Sequence, residues 1–235
     1  INVGLVGSEM CIRDRVGPTN FNKGWDWSSS YHHTDSIVKG FCHINVSGTG
    51  MSDLGELTIM PATGKLMTGA GTQNNHMAGY SSLYYKDKES ASVGYYKVHL
   101  ERYDIDVELT ATERVGLHKY RFPNSEQSRV IIDLGEGSAD RPTETYLKKI
   151  NDTLFQGHRF STGWAVDQRE YFSLIISKPV DDFIVYDRHK KFKGDERKGD
   201  YVKGFLEFST KNNEDIMVKM GISTVSSKNA LENMM

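Results

Sequence analysis

The sequence predicts an all-β protein, built as an antiparallel sandwich or barrel. Two observations carry this prediction. Strand-like segments recur at about 8–12-residue spacing with turn residues between them, and some alternate strictly between apolar and polar side chains. With 235 residues, the chain is long enough for one large β domain or two small ones. Its 22 glycines and its 11% aromatic content are typical of a folded, turn-rich domain.

The first fifteen residues do not join naturally to the rest. The stretch INVGLVGSEMCIRDR has neither a strand period nor a helix period, and GSEMCIRDR resembles translated adapter sequence. We therefore predict that residues 1–15 are a non-native segment that contributes no packing. The alternative is a natural terminus. The two cysteines, Cys11 and Cys42, are too few for a disulfide framework or a zinc cluster.

Consecutive strands follow. SIVKGFCHINV and LGELTIMP predict two strands separated by the loop SGTGMSD, and GYSSLYYKD and GYYKVHLER predict two more with tyrosine-rich faces. In DIDVELTATE every second residue from Ile105 to Ala111 is apolar, which predicts a half-buried antiparallel strand. VGLHKYRFP comes after a short turn, so it is expected to complete a hairpin with that strand.

The second half of the chain continues the same pattern. SRVIIDLGE is a continuous apolar run and predicts a central strand. Further strands are expected in DTLFQGHRFST, YFSLIISKPV, DFIVYD, YVKGFLEFST and EDIMVKMGIST. RHKKFKGDERKGD predicts a solvated loop. In residues 223–235, N-cap candidates precede helix formers, which predicts the start of a helix that continues in the intact protein.

Charge, hydropathy and motifs argue against several function classes. Lys and Arg number 29 against 31 Asp and Glu, so we predict no nucleic-acid partner. No apolar run approaches the roughly 20 residues of a membrane-spanning helix, so no membrane span is predicted. The motifs G-x-S-x-G and H-E-x-x-H do not occur. His32 and His33 are adjacent and would point apart in a strand, so they are not expected to bind one metal ion.

One stretch, GWDWSSSYHH, concentrates side chains suited to a sugar. In a strand, Trp25 and Trp27 share one face, and an indole face packs well against the C–H bonds of a pyranose. Asp26, Tyr31 and His32 supply hydrogen-bonding groups nearby. The alternative is structural: one tryptophan lies in the core, the other covers it, and the histidines are exposed.

A second candidate is the loop that contains Ser47, Gly48, Thr49 and Gly50. Its two glycines permit a tight turn whose backbone can approach a ligand. It is not a phosphate loop, because the Lys-Ser/Thr ending is absent and no helix is expected after it. The alternative is an ordinary flexible hairpin loop.

Three long motifs, in this order, resemble one enzyme family: GPTNFNKGWDW…YHHTDS, GFCHINVSGTGMSDLGELTIMP and YDIDVELTATERVGLHKYRFP…VIIDLG. They are similar to the N-terminal domain of glycoside hydrolase family 92, the calcium-dependent, exo-acting α-mannosidases. The similarity runs from residue 17 to the end of the chain. The chain departs from the family's usual residues at Ser28, Ser30, His33, Cys42, Ile44 and Asn45. At Asn45 the family often has a histidine, which places in doubt any role there that requires a titrating group.

The resemblance implies a large antiparallel β-sandwich, a supersandwich of the galactose-mutarotase-like type, over residues 16–222. Residues 223–235 would begin the linker helix to an (α/α)6 catalytic barrel. In the family, the barrel carries the general acid, the general base and most ligands of a Ca²⁺ cofactor, so no catalytic or metal-ligating residue is expected in this chain. The substrate-binding residues that the motifs carry over are Trp25, Asp26, Trp27, Tyr31, His32, Ser47, Gly48, Thr49 and Gly50.

The function that the resemblance implies is the non-catalytic half of an inverting α-mannosidase, inactive alone. Its expected partners are a mannose-containing oligosaccharide, from N-glycans or mannan, and the enzyme's own barrel domain. Its expected location is secreted, periplasmic or on the extracellular surface. Two other classes stay open at this point: an autonomous carbohydrate-binding module, and a structural or adhesion sandwich.

Overall fold

Two antiparallel sheets form most of the computed structural model, which describes residues 11–13, 36–45, 54–72, 75–135, 140–163 and 165–235. Within these ranges, one sheet has seven strands, in the spatial order β1 (Cys11–Arg13), β3 (Gly40–Cys42), β6 (Thr58–Thr63), β12 (Ser125–Asp133), β19 (Val202–Thr210), β16 (Asp182–Asp187) and β17 (Lys190–Phe192). The other has nine, in the order β18 (Glu196–Gly199), β13 (Arg141–Lys149), β14 (Leu154–Thr162), β15 (Gln168–Ile176), β20 (Glu214–Ser223), β11 (Val115–Phe122), β10 (Ile105–Ala111), β9 (Tyr95–Leu100) and β8 (Glu89–Ser92). Two short ladders join β2 (Ile37–Val38) to β7 (Ser82–Leu83) and β4 (Ile44–Asn45) to β5 (Leu54–Glu56).

The two sheets pack face to face around one apolar core. Phe122 of β11 meets Phe208 of β19 edge to face, with ring centroids 5.5 Å apart. The ring centroids of Phe155 in β14 and Phe183 in β16 are 5.4 Å apart. In β14 every second residue is buried, and the same alternation runs from Ile105 to Leu109 in β10. The predicted all-β sandwich is therefore confirmed.

The hairpin of β10 and β11 and the central position of β12 agree with the sequence. Val107 pairs with Tyr120 across the hairpin, and the residues from Ile105 to Leu109 alternate between buried and half-buried positions. β12 lies between β6 and β19 and is buried on both faces from Ser128 to Asp133. A strand that is covered on both faces cannot alternate in polarity, which explains its continuous apolar run.

Positive backbone torsions divide two of the predicted strands. SIVKGFCHINV is interrupted at Gly40, which has a φ of +153°. A Cβ at this position would lie 2.3 Å from Cγ2 of Thr58, so a larger residue would not fit. LGELTIMP is interrupted at Leu57, a non-glycine residue with a φ of +54°. Each segment therefore turns between sheets instead of running straight.

GYSSLYYKD is mostly not a strand, contrary to the prediction. Only Ser82 and Leu83 pair as β7, and a 3₁₀ turn covers Lys86–Lys88. Tyr80 and Tyr84 are fully buried, because this segment lies over the outer face of the seven-stranded sheet. Tyr80 and Tyr84 are buried and Tyr85 is 52% exposed, so the three tyrosines do not form one face of a strand.

The charged segment RHKKFKGDERKGD is also not a loop. It forms β17, the edge strand of the seven-stranded sheet, and β18, the edge strand of the nine-stranded sheet. Its lysines and arginines remain largely exposed. Charged side chains are a common device that protects an edge strand from pairing with another molecule, and this accounts for the composition.

The C-terminal helix, α1 (Ser227–Glu232), confirms the predicted helix start. Ser226 is its N-cap and accepts a hydrogen bond from the backbone of Asn229 at 3.1 Å. The helix packs on the outer face of the nine-stranded sheet, where Gly221 of β20 permits close approach. A Cβ on Gly221 would lie 2.1 Å from the carbonyl oxygen of Ala230. No helix in the described ranges is long and apolar enough to cross a bilayer.

Residues 11–13 form β1, a strand that the sequence does not predict. Cys11 pairs with Cys42 and Arg13 with Gly40, both through backbone contacts. The foreign origin of residues 1–15 stays a prediction. Deletion of these residues would test whether the pairing contributes to stability.

Candidate functional site

The predicted sugar-binding residues lie outside the described residues. This holds for both candidate stretches, whose members are Trp25, Asp26, Trp27, Tyr31, His32, Ser47, Gly48, Thr49 and Gly50. Their role stays a prediction. The structure does describe the strand ends on either side of residues 46–53, since β4 ends at Asn45 and β5 begins at Leu54.

These strand ends lie at one end of the sandwich, which we call the upper end. There β6 begins at Thr58, which pairs with Asp133 at the end of β12. The chain then passes to β13, whose first residue Arg141 pairs with Thr162 at the end of β14. The described strand ends that flank residues 46–53 and 136–139 are therefore at the same end of the sandwich. The upper end is therefore where a binding surface formed by these segments would be located.

A buried hydrogen-bond chain lies below the upper end and joins the two sheets. Nδ1 of His43 is 3.1 Å from the carbonyl oxygen of Leu57. The Nε2 atoms of His43 and His118 are 2.9 Å apart, and Nδ1 of His118 is 2.5 Å from the hydroxyl of Tyr120. The two imidazole rings are stacked, with centroids 4.8 Å apart.

Only one arrangement of protons gives every neutral group in this hydrogen-bond chain a suitable donor or acceptor. A carbonyl oxygen accepts but cannot donate, so Nδ1 of His43 carries a proton and its neutral Nε2 accepts. His118 must then donate from Nε2 and accept at Nδ1, which leaves the hydroxyl of Tyr120 as donor. The direction from Tyr120 through His118 and His43 to Leu57 is fixed by chemistry.

Burial keeps His43, His118 and Tyr120, the three side chains of this hydrogen-bond chain, electrically neutral. It lowers the pKa of His43 to about 4, against a smaller opposing effect of the hydrogen bond to Leu57. It lowers the pKa of His118 well below 6.5, and the nearby His43 adds to this effect. It also raises the pKa of Tyr120 well above 10. Burial therefore holds both imidazoles in the neutral state that this arrangement of protons requires.

A buried ion pair lies at the upper end on the outer face of the seven-stranded sheet. Asp133 accepts hydrogen bonds at 2.5 Å from the hydroxyl of Tyr80 and at 2.9 Å from the backbone of Gly135. Nζ of Lys203 lies 2.7 Å from the same carboxylate. Tyr80 is held in turn, because the hydroxyl of Tyr103 donates to its carbonyl oxygen at 2.7 Å. This cluster fixes the point where β12 leaves the sheet.

A second buried ion pair lies near the first residues of β13. The guanidinium of Arg159 donates to Asp140 at 2.5 Å and to the carbonyl oxygen of Leu134 at 2.9 Å. Both side chains are completely buried. Asp140 and Leu134 flank residues 136–139, so Arg159 connects both ends of this segment to β14.

Glu170 of β15 is a half-buried carboxyl on the same face as the buried Phe172. Burial raises its pKa to about 7. Within the part of the chain that the structure describes, no side chain or backbone group forms a hydrogen bond or ion pair with it. A carboxyl in this situation is partly protonated near neutral pH.

The described residues hold no side-chain cluster that would indicate a metal site. Among them, no group of three or more His, Cys, Asp or Glu side chains is arranged to hold a metal ion. At the upper end, the carboxylates of Asp133 and Asp140 are used in ion pairs with Lys203 and Arg159.

Sequence reasoning missed most of these buried polar residues. His118 could have been found, because it occupies an apolar position of the alternating strand VGLHKYRF, in phase with Tyr120 and Phe122. A histidine at a core position requires a buried partner. Its partner His43 is 75 positions away in the chain, and no local pattern indicates such a pair.

Comparison with known proteins identifies the family. The model of the glycosyl hydrolase family 92 N-terminal domain matches residues 15–223. The family 92 α-mannosidase BT3965 from Bacteroides thetaiotaomicron, solved in complex with mannoimidazole, is 28% identical, with a TM-score of 0.91 over 99% of this chain. The same enzyme solved alone gives the same values.

Two further solved structures share the fold at lower identity. The family 92 glycosyl hydrolase ccman5 is 20% identical with a TM-score of 0.81, over 98% of this chain and 31% of its own. The inverting mannosidase BT2199 from B. thetaiotaomicron is 21% identical with a TM-score of 0.78, over 99% of this chain and 29% of its own. No curated protein matches the chain.

The chain spans 31% of the length of BT3965. The family model covers most of the chain, and the described sandwich superimposes on a family 92 α-mannosidase almost from end to end. The chain therefore belongs to glycoside hydrolase family 92 and corresponds to the N-terminal domain of that family's enzymes.

Proposed function

We propose that this chain is the non-catalytic β-sandwich half of an exo-acting, inverting α-mannosidase. The observation that carries the proposal is the match to BT3965, an α-mannosidase, over 99% of this chain but only 31% of that enzyme. The remaining length of such an enzyme would supply a second domain, the (α/α)6 barrel that the resemblance implies. The substrate would be a mannose-containing oligosaccharide.

The sandwich would contribute one wall of the mannose pocket, at the interface with the barrel. Trp25 and Trp27 would supply an indole face, with Asp26, Tyr31 and His32 as hydrogen-bonding groups. Ser47 to Gly50 would approach the sugar with their backbone. The upper end supports this assignment, because buried ion pairs and the histidine chain hold the strand ends that lead into residues 46–53 and 136–139.

The chemistry would belong to the barrel. Inversion requires one carboxylic acid to protonate the leaving oxygen and a second carboxylate to activate water on the opposite face of the ring. Bound Ca²⁺ would contribute electrostatic stabilisation and would orient the mannose hydroxyls. The role of this chain would be to bind and orient the sugar.

The test uses the full-length protein and an aryl α-mannoside. We expect hydrolysis by the full-length enzyme and none by residues 1–235 alone. Replacement of the ligand-facing tryptophan, Trp25 or Trp27, by alanine should lower kcat/KM by an amount equivalent to roughly 1–3 kcal/mol. The supporting tryptophan should instead lower the stability. Tyr85→Ala is the control, since this ring is 52% exposed and belongs to neither candidate stretch.

Two results would contradict the proposal. One is a full-length protein that binds mannosides but does not hydrolyse them in the presence of calcium, which would favour an autonomous binding module. The other is a pair of tryptophan variants that fold normally and turn over mannosides at the wild-type rate. That result would remove this stretch from the pocket.

A further inference from the structure

The outer face of the nine-stranded sheet carries a group of aliphatic side chains on four neighbouring strands. Leu154 of β14 lies opposite Ile175 of β15, and Ile175 lies opposite Lys219 of β20. Lys219 lies in turn opposite Leu117 of β11. Residues that pair directly point to the same face, so the four form one row across the sheet. Met217 is two residues before Lys219 on the same face of β20. We call Leu117, Leu154, Ile175 and Met217 the outer patch.

The outer patch differs from the face around it. Beside it, an exposed network of ion pairs joins Lys119 to Glu108 and to Asp215, and Arg121 to Asp215. No member of the patch is fully buried, and Ile175 is 37% exposed. The solvated face of an antiparallel sheet is normally polar. A group of aliphatic side chains within a charged face therefore indicates a surface that another part of a protein covers.

The helix α1 brings the chain to the outer patch. Ala230 of α1 and Met234 just after it are buried against the sheet. The ammonium of Lys219 donates a hydrogen bond to the carbonyl oxygen of Met234, and the amide of Asn233 donates to the carbonyl oxygen of Ile222 at 2.9 Å. Lys219 belongs to the same row as the outer patch. The backbone at Met234 is therefore fixed beside that patch.

We propose that the outer patch is the docking surface for the polypeptide that directly follows Met235 and connects the sandwich to the second domain. The occupant follows from position, because successive Cα atoms are only about 3.8 Å apart and the chain reaches Met235 at the patch. Apolar side chains of this segment pack on Ile175 and Leu117. The inference rests on the proposed function, since it requires a second domain after Met235. The match to an N-terminal domain and the 31% coverage of BT3965 support that continuation.

The first experiment is cysteine cross-linking in the full-length protein. Ile175→Cys is combined in turn with single cysteines in the residues that directly follow Met235, and disulfides formed under mild oxidation are identified by mass spectrometry. Ile175 is already exposed in the sandwich, so its replacement leaves the core unchanged. Ser90→Cys is the matched control, because Ser90 is an exposed residue of β8, at the edge of the same sheet. We expect a cross-link for Ile175→Cys and none for Ser90→Cys.

A second experiment tests whether packing on the patch holds the segment. Ile175→Lys places a charge in the outer patch, and Ser90→Lys is its control. We expect hydrogen exchange of the backbone amides directly after Met235 to become roughly tenfold faster in Ile175→Lys, the effect of one aliphatic side chain that is no longer buried. Exchange in β15 and β20 should stay as in the wild type, which shows that the sandwich remains folded. Ser90→Lys should change neither rate.

Four results overturn the inference. They are a cross-link from Ile175→Cys to a remote part of the second domain, a cross-link between two copies of the protein, the absence of any cross-link, and an exchange rate that Ile175→Lys does not change. Hydrolysis of an aryl α-mannoside by the wild type is measured separately. A protein that forms the cross-link but hydrolyses no mannoside contradicts the proposed function alone, and an active enzyme without the cross-link contradicts this inference alone.

Discussion

The outer faces of the two sheets carry similar ion pairs in opposite surroundings. On the seven-stranded sheet, the side chains of Lys203 and Asp133 are only 8% and 1% exposed. On the nine-stranded sheet, those of Arg121 and Asp215 are 43% and 37% exposed. The first face, which we call the covered face, lies under the segment that contains Tyr80. The second, which we call the open face, carries α1 on one part and leaves the pair of Arg121 and Asp215 exposed.

This difference in burial decides how much each ion pair contributes to the stability of the fold. A surface pair is screened by water, and its net contribution to stability is small. A buried pair has lost its hydration, so each charge depends on its partner and on additional hydrogen bonds. Asp133 has both, because Lys203 is its charged partner. Tyr80 and the backbone of Gly135 donate the additional hydrogen bonds. The covered face therefore tolerates loss of a single charge far less than the open face.

The largest effect is expected for Lys203→Met, which leaves the Asp133 carboxylate buried without its ammonium partner. The free energy of unfolding should fall by about 3–5 kcal/mol. Lys119→Met is the matched control on the open face, where Lys119 lies 3.1 Å from Glu108 and is 30% exposed, and its cost should stay below about 1 kcal/mol. Urea unfolding of both variants checks the prediction. Equal losses would show that burial does not distinguish the two faces.

The next effect concerns Glu170, an inward-facing carboxyl whose pKa is raised to about 7. Because the unfolded chain releases this proton at lower pH, the native state loses stability as pH rises from about 4.5 to 7. Glu170→Gln should therefore stabilise the protein by roughly 2–3 kcal/mol at pH 8 and by nothing at pH 4.

The control for Glu170 is Glu196→Gln. The hydroxyl of Tyr146 and then Lys148 lower the pKa of this exposed carboxyl, so the pH dependence has the opposite sign. Unfolding midpoints at both pH values are the measurement. A Glu170→Gln variant that is less stable than the wild type at pH 8 would show that this carboxyl has a stabilising partner.

A smaller effect is expected where α1 covers the open face. Gly221→Ala would place a Cβ 2.1 Å from the carbonyl oxygen of Ala230 and must displace the helix. We expect a loss of about 1–2 kcal/mol, the range of an overpacked contact. Gly69→Ala is the control, since no atom lies within 4 Å of its added Cβ. If the two alanine variants melt at the same temperature, α1 does not depend on this contact.

The smallest effect is expected for Arg121→Ala on the open face. Its guanidinium donates to Asp215 through two nitrogens, at 2.8 and 3.1 Å, yet both side chains are well exposed. The loss should be roughly 0.2–1 kcal/mol and should shrink further in high salt. A loss above that range that persists in 1 M salt (on the order of a 3 Å screening length) would contradict the comparison.

The sequence predicts those parts of the fold in which a single strand alternates between apolar and polar residues. The strand from Ile105 to Ala111 and its hairpin partner are examples, because the alternation of apolar residues records which face is buried. The segment from Arg188 to Asp200 is a counterexample. Edge strands expose both faces, so their composition resembles that of a loop, and the prediction failed there.

The candidate site could be predicted only through its family motifs. Those motifs indicate Trp25, Trp27 and the Ser47–Gly50 loop, and these assignments stay predictions. The supporting contacts could not be predicted from local pattern. Asp133 and Tyr80 are 53 positions apart, and only the packing of a connecting segment over the sheet brings them together.

The path of the chain between β17 and β18 has a consequence for folding. These consecutive strands belong to different sheets, and so do β18 and β19, and again β19 and β20. Each sheet therefore contains strands that are separated in the chain by a strand of the other sheet. Half-folded states with one intact sheet are thus disfavoured by connectivity, and such non-local pairing is typical of slow folding. We expect the sandwich to unfold in a single cooperative transition, without a stable intermediate that retains one sheet.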